Sequence, residues 1–224
     1  MKKIKAVAFD IDGTLYSNFQ LYSKIWFYFL RHLRFFISFN RVRKILHKTA
    51  PLPDFYEYQR RLLAKEMKIS VEEAKNKINT IVYEGFKPYF KKIKTIPHVE
   101  ETFVKFKKCG LKIALLSDFP PEQKGDIWNL AQYCDVILGS EALGALKPSK
   151  YPFGILAKKL DLPAEQILYV GNNVRCDVKG AKNFGMKSAY LLPFWRKIFN
   201  KKHNLADISF KNYRQLQKIV LQYT

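Results

Sequence analysis

Residues 4–14 have the sequence IKAVAFDIDGT, and this run sets the architecture predicted for the rest of the chain. Its first six residues are mostly apolar and partly β-branched, which predicts a short buried strand. Asp10 and Asp12 follow at once, and Gly13 allows the backbone to turn sharply after them. Because ligands bind beyond the carboxyl ends of parallel strands, we expect both carboxylates to face a ligand.

Alternating helices and strands after Pro97 predict the remaining layers of the fold. Strands are predicted at residues 112–116, 136–138, 167–170 and 188–192, and helices at about 99–109, 122–131, 151–160 and 177–184. This alternation favours a parallel sheet with right-handed crossovers. The predicted fold class is therefore α/β, with a Rossmann-like parallel sheet as its core.

Residues 16–95 have a different character and predict an all-helical insert. The segment is rich in aromatic and basic residues and lacks a strong strand pattern. Ser70 and Glu73 form a capping box for the helix that follows them. His32 and His47 are isolated and are expected to be packing or surface residues. Aromatic residues at helical spacing are expected to form the core of this insert, with an apolar pocket or a membrane contact as alternatives: Trp26, Phe27, Tyr28, Phe29, Phe35 and Phe36.

The balance of charge is strongly basic, with 40 Lys and Arg against 19 Asp and Glu and a formal net charge of +21. Such a surface attracts polyanions, including nucleic acids, anionic lipids and phosphorylated metabolites. A lysine-rich proteome explains the same excess equally well, so charge alone identifies no partner. The sequence has no RNA-binding signature, zinc knuckle or helix-turn-helix pattern, and no specific nucleic-acid partner is expected.

No targeting or membrane-spanning segment is predicted. The most apolar stretch, residues 25–39, is interrupted by two arginines and a histidine, and it is shorter than the ~20 residues of a bilayer span. The three cysteines are far apart and form no CxxC pair, which suits a reducing compartment. We therefore expect a cytoplasmic protein, with contact to a membrane surface as an alternative. The sequence does not indicate an oligomeric state.

Four polar elements lie at or near predicted strand ends, in the order Asp10-Ile11-Asp12-Gly13-Thr14, Ser117-Asp118, Lys147-Pro148, and Gly171-Asn172-Asn173 leading to Asp177. Together they resemble the haloacid dehalogenase (HAD) superfamily, in its phosphatase branch. The resemblance implies a HAD-like core domain at residues 1–15 and 96–224. It also implies that residues 16–95 form a helical cap domain of the C1 type.

The resemblance implies a role for each matching residue. Asp10 matches the nucleophile that forms an aspartyl-phosphate, and Asp12 matches the general acid and base. Lys147 matches the lysine that pairs with the phosphate and the nucleophile. The remaining substrate-binding residues implied are Thr14, Ser117 and Asp118, with local capping or hydrogen bonding as the alternative for Thr14 and Asp118.

Mg²⁺ is the cofactor implied, because carboxylate and carbonyl oxygens are its preferred ligands. The implied ligands are Asp10, the backbone carbonyl of Asp12, Asn172 and Asp177. Most phosphatases of the superfamily have an acid at the position of Asn172. An amide offers an oxygen without charge, so this departure bears on metal affinity and catalytic efficiency.

The implied activity is hydrolysis of a small phosphomonoester metabolite, similar to that of a phosphoglycolate phosphatase. The dehalogenase branch usually lacks the second acid of the first motif, so Asp12 favours a phosphatase. The alternative is a catalytically weak HAD-fold protein that acts as a binding or regulatory module for anionic partners. The sequence does not distinguish phosphoglycolate, sugar phosphates and nucleoside monophosphates as substrates.

Overall fold

Six parallel strands form one sheet in the computed structural model of the chain, which describes residues 3–199 and 201–223. The strands are β1 (Ala6–Phe9), β2 (Lys112–Ser117), β3 (Val136–Gly139), β4 (Ile167–Gly171), β5 (Lys187–Leu191) and β6 (Ile208–Phe210). Their order across the sheet is β3-β2-β1-β4-β5-β6, and every neighbouring pair is parallel. The predicted α/β class with a Rossmann-like parallel sheet is confirmed.

The central strand β1 is buried along its whole length, as expected for a parallel sheet covered on both faces. Successive side chains of a strand point to opposite faces. Val7 and Phe9 belong to an apolar cluster that includes Phe103, whereas Ala6 and Ala8 belong to a different cluster that includes Phe153. The helices that flank the sheet are α6 (Val99–Lys108), α7 (Lys150–Leu160), α8 (Gly180–Phe184) and α10 (Tyr213–Val220).

The register of β1 brings the ends of three strands to one edge of the sheet. Phe9, the last residue of β1, pairs with β2 on one side and with β4 on the other. Asp10 therefore begins its loop between the ends of these neighbours, which are Ser117 and Gly171. This register places the polar residues that follow the strands in one cluster.

The segment between β1 and α6 is helical and has its own apolar core, which includes Phe35, Phe36 and Phe39. Tyr16 and Thr95 form an antiparallel bridge that joins the two ends of the segment. Ser70 caps its helix as predicted, because its hydroxyl accepts a hydrogen bond from the Glu73 amide at 3.1 Å. The helices are α1 (Asn18–Arg31), α2 (Leu33–Leu46), α3 (Phe55–Met67), α4 (Val71–Lys77), a π-helical turn (Ile78–Tyr83) and α5 (Lys87–Phe90).

The aromatic residues predicted for the core of this insert divide into two groups. Phe35 and Phe36 are buried, and Tyr28 and Phe29 pack partly against the same cluster. Trp26 and Phe27, by contrast, are among the exposed large apolar residues of the protein, and for these two the expectation of core packing is wrong. Within residues 3–199 and 201–223, no helix combines the length and apolar character needed to cross a bilayer.

The helix predicted at about residues 122–131 is wrong. The structure has two short 3₁₀ turns there, Pro121–Lys124 and Ala131–Tyr133. Ile127, Trp128 and Asn129 between them have φ values of 55°, 55° and 63°, in the left-handed region. Burial of apolar side chains in this loop, together with an indole hydrogen bond to a backbone carbonyl, outweighs the helical pattern of the sequence.

Several elements near the carboxyl terminus were not predicted. The last of the six strands has only three residues, which is too short for a strand pattern to be recognised. The amphipathic helix α10 buries Tyr213, Leu216, Gln217 and Val220, a helical spacing that is present in the sequence. The helix predicted at 177–184 begins later, because residues 177–179 belong to a π-helical turn (Val174–Lys179) and only 180–184 form α8. The remaining short elements are α9 (Phe194–Ile198) and a 3₁₀ turn (Ala164–Gln166).

Candidate active site

Lys147 occupies the centre of the polar cluster at the strand ends. Its Nζ lies 2.7 Å from Asp10 Oδ1 and 2.8 Å from Asp177 Oδ1, and its side chain is only 2% exposed. The same ammonium group is 3.0 Å from the hydroxyl of Tyr169, which donates to the Leu116 carbonyl. Burial disfavours the charged lysine, but the charges of Asp10 and Asp177 outweigh that cost and raise the pKa of Lys147 well above its usual value.

Asp10 is buried at the end of β1 and is held by protein groups on both oxygens. Lys147 contacts Oδ1, and the hydroxyl of Thr14 donates to Oδ2 at 2.9 Å. Burial raises the pKa of Asp10 to about 7, because the charges of Asp177 and Asp12 add to the cost of desolvation while Lys147 opposes it. A further cation beside this carboxylate would favour its ionised form.

Asp12 accepts hydrogen bonds on both of its carboxylate oxygens. The hydroxyl of Tyr16 donates to Oδ1 at 2.7 Å, while the hydroxyl of Ser117 donates to Oδ2 at 2.8 Å. Lys124 lies 3.2 Å from the same Oδ2, with a fully buried side chain. Burial acts to raise the pKa of Asp12, but the charge of Lys124 and the hydrogen bonds from Tyr16 and Ser117 prevail and lower it. This arrangement holds Asp12 as a carboxylate.

Asp118 and His47 are neighbours that both hold the backbone of Lys147, and His47 Nδ1 lies 4.0 Å from Asp118 Oδ2. Asp118 Oδ1 accepts a hydrogen bond from the Lys147 amide at 3.0 Å, and His47 Nδ1 lies 2.6 Å from the Lys147 carbonyl oxygen. Asp118 thus has the local hydrogen-bonding role that was the alternative to substrate binding. His47 was expected to be a packing or surface residue, yet it lies at the rim of this cluster.

Asn172 borders the turn that follows Asp12. Its backbone amide donates to Asp177 Oδ2 at 3.1 Å, and the amide of Asn173 donates to the same oxygen at 2.9 Å. Its side-chain nitrogen lies where a β-carbon on Gly13 would be, and Gly13 has a φ of +82°. The Asn172 side chain therefore lies directly against the acidic turn, and the turn requires glycine at this position.

The donor set of the cluster fits a hard divalent cation. The cluster contains three carboxylates, those of Asp10, Asp12 and Asp177. They form ion pairs with two ammonium groups, those of Lys147 and Lys124. A phosphate group would add further negative charge. The residues that could hold Mg²⁺ are those implied by the sequence, and their ligand atoms are all oxygens, as this ion prefers.

The structure brings the predicted residues together and adds three that the sequence did not reveal. These are Tyr16 and Lys124, which contact Asp12, and Tyr169, which contacts Lys147. Tyr16 is only four residues after Asp12, and the sharp turn at Gly13 lies between them. This turn indicated that the Tyr16 side chain could reach Asp12. Lys124 had no such indication, because it is one of 40 basic residues and lies in a loop that was predicted to be helical.

The helical insert is joined to the loops that follow β2 and β3 by a second buried polar network. Arg43 of α2 is paired with Glu141, which follows β3, and the hydroxyl of Tyr83 donates to the same carboxylate at 2.8 Å. The Arg43 guanidinium also lies 4.4 Å from the ring centroid of Phe119. Beside this network is a cavity of about 350 Å³, bounded by the insert and the loop after β2 and lined by Tyr56, Gln59, Arg60, Lys75, Ile78, Asn79, Tyr83 and Pro120.

Known proteins with similar sequence or structure include enzymes of two kinds. A glyceraldehyde 3-phosphate phosphatase of Methanocaldococcus jannaschii is 25% identical over an alignment of 228 positions, gaps included, which covers 97% of this chain and 96% of the relative. A HAD hydrolase of Bacillus subtilis, solved with bound magnesium, has 13% identity and a TM-score of 0.69, with 98% of this chain and 100% of that chain covered. An L-2-haloacid dehalogenase of Xanthobacter autotrophicus has 18% identity and a TM-score of 0.67, with 99% and 100% covered.

Because the two solved structures have only 18% and 13% identity with this chain, their likeness shows a shared fold and nothing about activity. The sequence family carries more weight, because its model spans both the acidic turn after β1 and the loop after β4. That model describes the haloacid dehalogenase-like hydrolases and matches residues 4–185, and the chain belongs to this family.

Proposed function

We propose that the protein is a Mg²⁺-dependent phosphatase that hydrolyses a small phosphomonoester through an aspartyl-phosphate on Asp10. The observation that supports this most is the convergence of two acids and two buried lysines at one strand end. Lys147 lies 2.7 Å from Asp10, and Lys124 lies 3.2 Å from Asp12. Phosphoryl transfer needs a positioned nucleophile and positive charge around the transferring group, and this cluster contains both.

In the first step, a carboxylate oxygen of Asp10 attacks phosphorus and the bond from phosphorus to the leaving oxygen breaks. Asp12 gives its proton to that oxygen, so the product leaves as an alcohol. In the second step, water attacks the aspartyl-phosphate and Asp12 takes the proton of that water. Inorganic phosphate is released and the Asp10 carboxylate is restored.

Asp12 must acquire a proton before the first step, and its contacts suggest how substrate binding assists. The same oxygen of Asp12 accepts from Ser117 and from Lys124. Phosphate oxygens are also acceptors for a hydroxyl and an ammonium group. A substrate phosphate that takes over these two donors weakens two of the three contacts that lower the pKa of Asp12, while the contact with Tyr16 remains. The negative charge of the phosphate also favours the protonated carboxyl, so Asp12 gains the proton that it later gives away.

Asp10, the Asp12 carbonyl, Asn172 and Asp177 are the residues that we propose to hold Mg²⁺. When bound there, the ion would offset the repulsion between the substrate phosphate and the carboxylates. Lys147 supplies positive charge to the same carboxylates from the protein side. The proposal also includes the cytoplasmic location predicted from the sequence, where Cys109, Cys134 and Cys176 remain free thiols.

Release of phosphate from an aryl phosphate tests the proposal, with and without Mg²⁺. We expect Asp10→Asn to lower the rate at least about 1000-fold, since it removes the nucleophile without changing the size of the side chain. Equal rates for the variant and the wild type would contradict the assignment. Halide release from a 2-haloacid, measured in parallel, distinguishes the dehalogenase activity of the Xanthobacter neighbour.

The substrate class can be narrowed by a screen of phosphorylated metabolites. Glyceraldehyde 3-phosphate is the first compound to test, since the Methanocaldococcus relative carries that name, and phosphoglycolate is the second. The cavity beside Pro120 is lined by none of the proposed catalytic residues, so the screen and not the size of this cavity decides the leaving group.

A further inference from the structure

Three groups that commonly bind metals meet at the seam between the helical insert and the sheet. His47 follows the end of α2, Asp118 follows β2, and Cys176 lies in the π-helical turn after β4. One imidazole nitrogen, one carboxylate oxygen and the thiol sulfur all lie within 4.8 Å of one another. The three residues come from three separate elements of the structure. The fold is therefore what brings them together.

The side chains of two of the three residues are anchored by Lys147. The Lys147 carbonyl fixes His47, and the Lys147 amide fixes Asp118. For Cys176 it is the backbone that is anchored: its amide donates to the Asn173 side chain at 2.9 Å, and the next residue, Asp177, is bound to the Lys147 ammonium. The imidazole and the carboxylate are therefore held in place by the protein, as second contacts hold the ligands of known metal sites.

The hydrogen bond of His47 also sets its tautomer. A carbonyl oxygen can only accept, so Nδ1, 2.6 Å from the Lys147 oxygen, must carry the proton. The lone pair is then on Nε2, as a metal ligand requires. Binding through Nε2 keeps this hydrogen bond, whereas binding through Nδ1, which lies 4.0 Å from Asp118 Oδ2, would replace it.

We propose that His47, Asp118 and Cys176 bind a borderline-soft divalent cation of the Zn²⁺ class. A set of nitrogen, oxygen and thiolate donors favours Zn²⁺ over Mg²⁺, whose ligands are oxygens. Binding takes the proton from the Cys176 thiol and releases it to solvent, so the sulfur binds as a thiolate. Three protein ligands leave the fourth tetrahedral position for water or for an anion.

The bound ion ties the insert to two loops of the sheet. His47 belongs to the insert, while the other two ligands follow strands β2 and β4. Exchange of substrate and product in a capped enzyme requires the cap to open. The ion is therefore expected to slow turnover by holding the insert closed. This effect on turnover rests on the proposed phosphatase function, whereas the proposal of metal binding does not depend on that function.

Titration with Co²⁺ tests the site without any need for activity, since Co²⁺ replaces Zn²⁺ and a cobalt–thiolate bond absorbs in the near ultraviolet. The protein should carry no histidine tag, and Mg²⁺ should be present in excess. We expect one equivalent of Co²⁺ to produce the band and Zn²⁺ to abolish it. Cys176→Ser should remove the band, and His47→Gln should weaken Co²⁺ binding at least about tenfold.

Cys109→Ser is the matched control, because Cys109 is an exposed cysteine and its loss should leave the band unchanged. A band that survives Cys176→Ser, or no band in the wild type at one equivalent, would overturn the proposal. In the activity assay, Zn²⁺ should inhibit the wild type, and Cys176→Ser should require at least about tenfold more Zn²⁺. Should phosphatase activity be absent, the cobalt band still decides the metal site.

Discussion

Lys124 and Ser117 contact the same carboxylate oxygen of Asp12, at 3.2 Å from the ammonium nitrogen and 2.8 Å from the hydroxyl. The Lys124 side chain is fully buried, and its ammonium lies 5.3 Å from the ring centroid of Phe90. Burying an ammonium group is costly unless it is paired. Lys124 and Ser117 share one oxygen of Asp12. In the proposed reaction, the Lys124 ammonium is therefore placed to pair with the substrate phosphate in place of Asp12.

Lys124→Met should lower kcat/KM for an aryl phosphate by about 100-fold, the usual loss when one charged or hydrogen-bonding partner of a transition state is removed. Methionine keeps the length and apolar stem of the side chain, so packing against Phe90 is retained. Steady-state kinetics with saturating Mg²⁺ measures the change. Lys107→Met is the matched control, since Lys107 pairs with Asp135 on the surface at 2.9 Å, and a similar loss in that variant would contradict the role of Lys124.

Asn172→Asp should raise the affinity for Mg²⁺ by about tenfold, because a carboxylate replaces a neutral amide in an oxygen-donor site. The measurement is phosphate release as a function of Mg²⁺ concentration. Asn173→Asp is the control: it adds the same charge one residue away, and an aspartate there can still accept from the amides of Arg175 and Cys176. Equal gains in the two variants would indicate a general effect of charge and would count against Asn172 as a ligand.

The sequence predicted five of the six strands and the polar residues at their ends, because a short apolar run followed by polar residues is a local pattern. It could not predict the burial of Lys124, which lies in a 3₁₀ turn just before three left-handed residues where a helix was expected. The contact of His47 with Lys147 was also not predictable, since it joins residues 100 positions apart. Local patterns therefore located the polar cluster at the strand ends, while the contacts that the insert makes with it required the structure.

Glu141→Ala should lower the free energy of unfolding by about 3–5 kcal/mol, because it leaves the charge of Arg43 buried without its partner. The Arg43 side chain is 8% exposed and that of Glu141 is fully buried. Urea denaturation monitored by circular dichroism measures the loss. The exposed pair of Arg41 and Glu66, 2.7 Å apart, provides the comparison, and Glu66→Ala should cost no more than about 1 kcal/mol.

The double variant Arg43→Met/Glu141→Ala separates the loss of pairing from the loss of packing. Replacement of both partners of a buried ion pair by apolar groups is often much less costly than removal of one. We expect the double variant to be more stable than Glu141→Ala alone. A double variant that is still less stable would show that other contacts of Arg43, such as that with Phe119, dominate.

Gly13→Ala should impair both stability and phosphatase activity, whereas Gly110→Ala should affect stability alone. Both glycines have positive φ values, +82° and +76°, so each substitution carries the backbone strain of about 1 kcal/mol that a side chain meets in this region. At Gly110 nothing lies within 4 Å of the added β-carbon, but at Gly13 that carbon collides with the side chains of Asn172 and Asn18. Displacement of Asn172 or of the acidic turn should lower kcat/KM by about 100-fold, by the misplacement of reacting groups. Thermal unfolding and kinetics on both variants measure the two effects, and a Gly13→Ala enzyme as active as Gly110→Ala would show that close packing against Gly13 is not needed for catalysis.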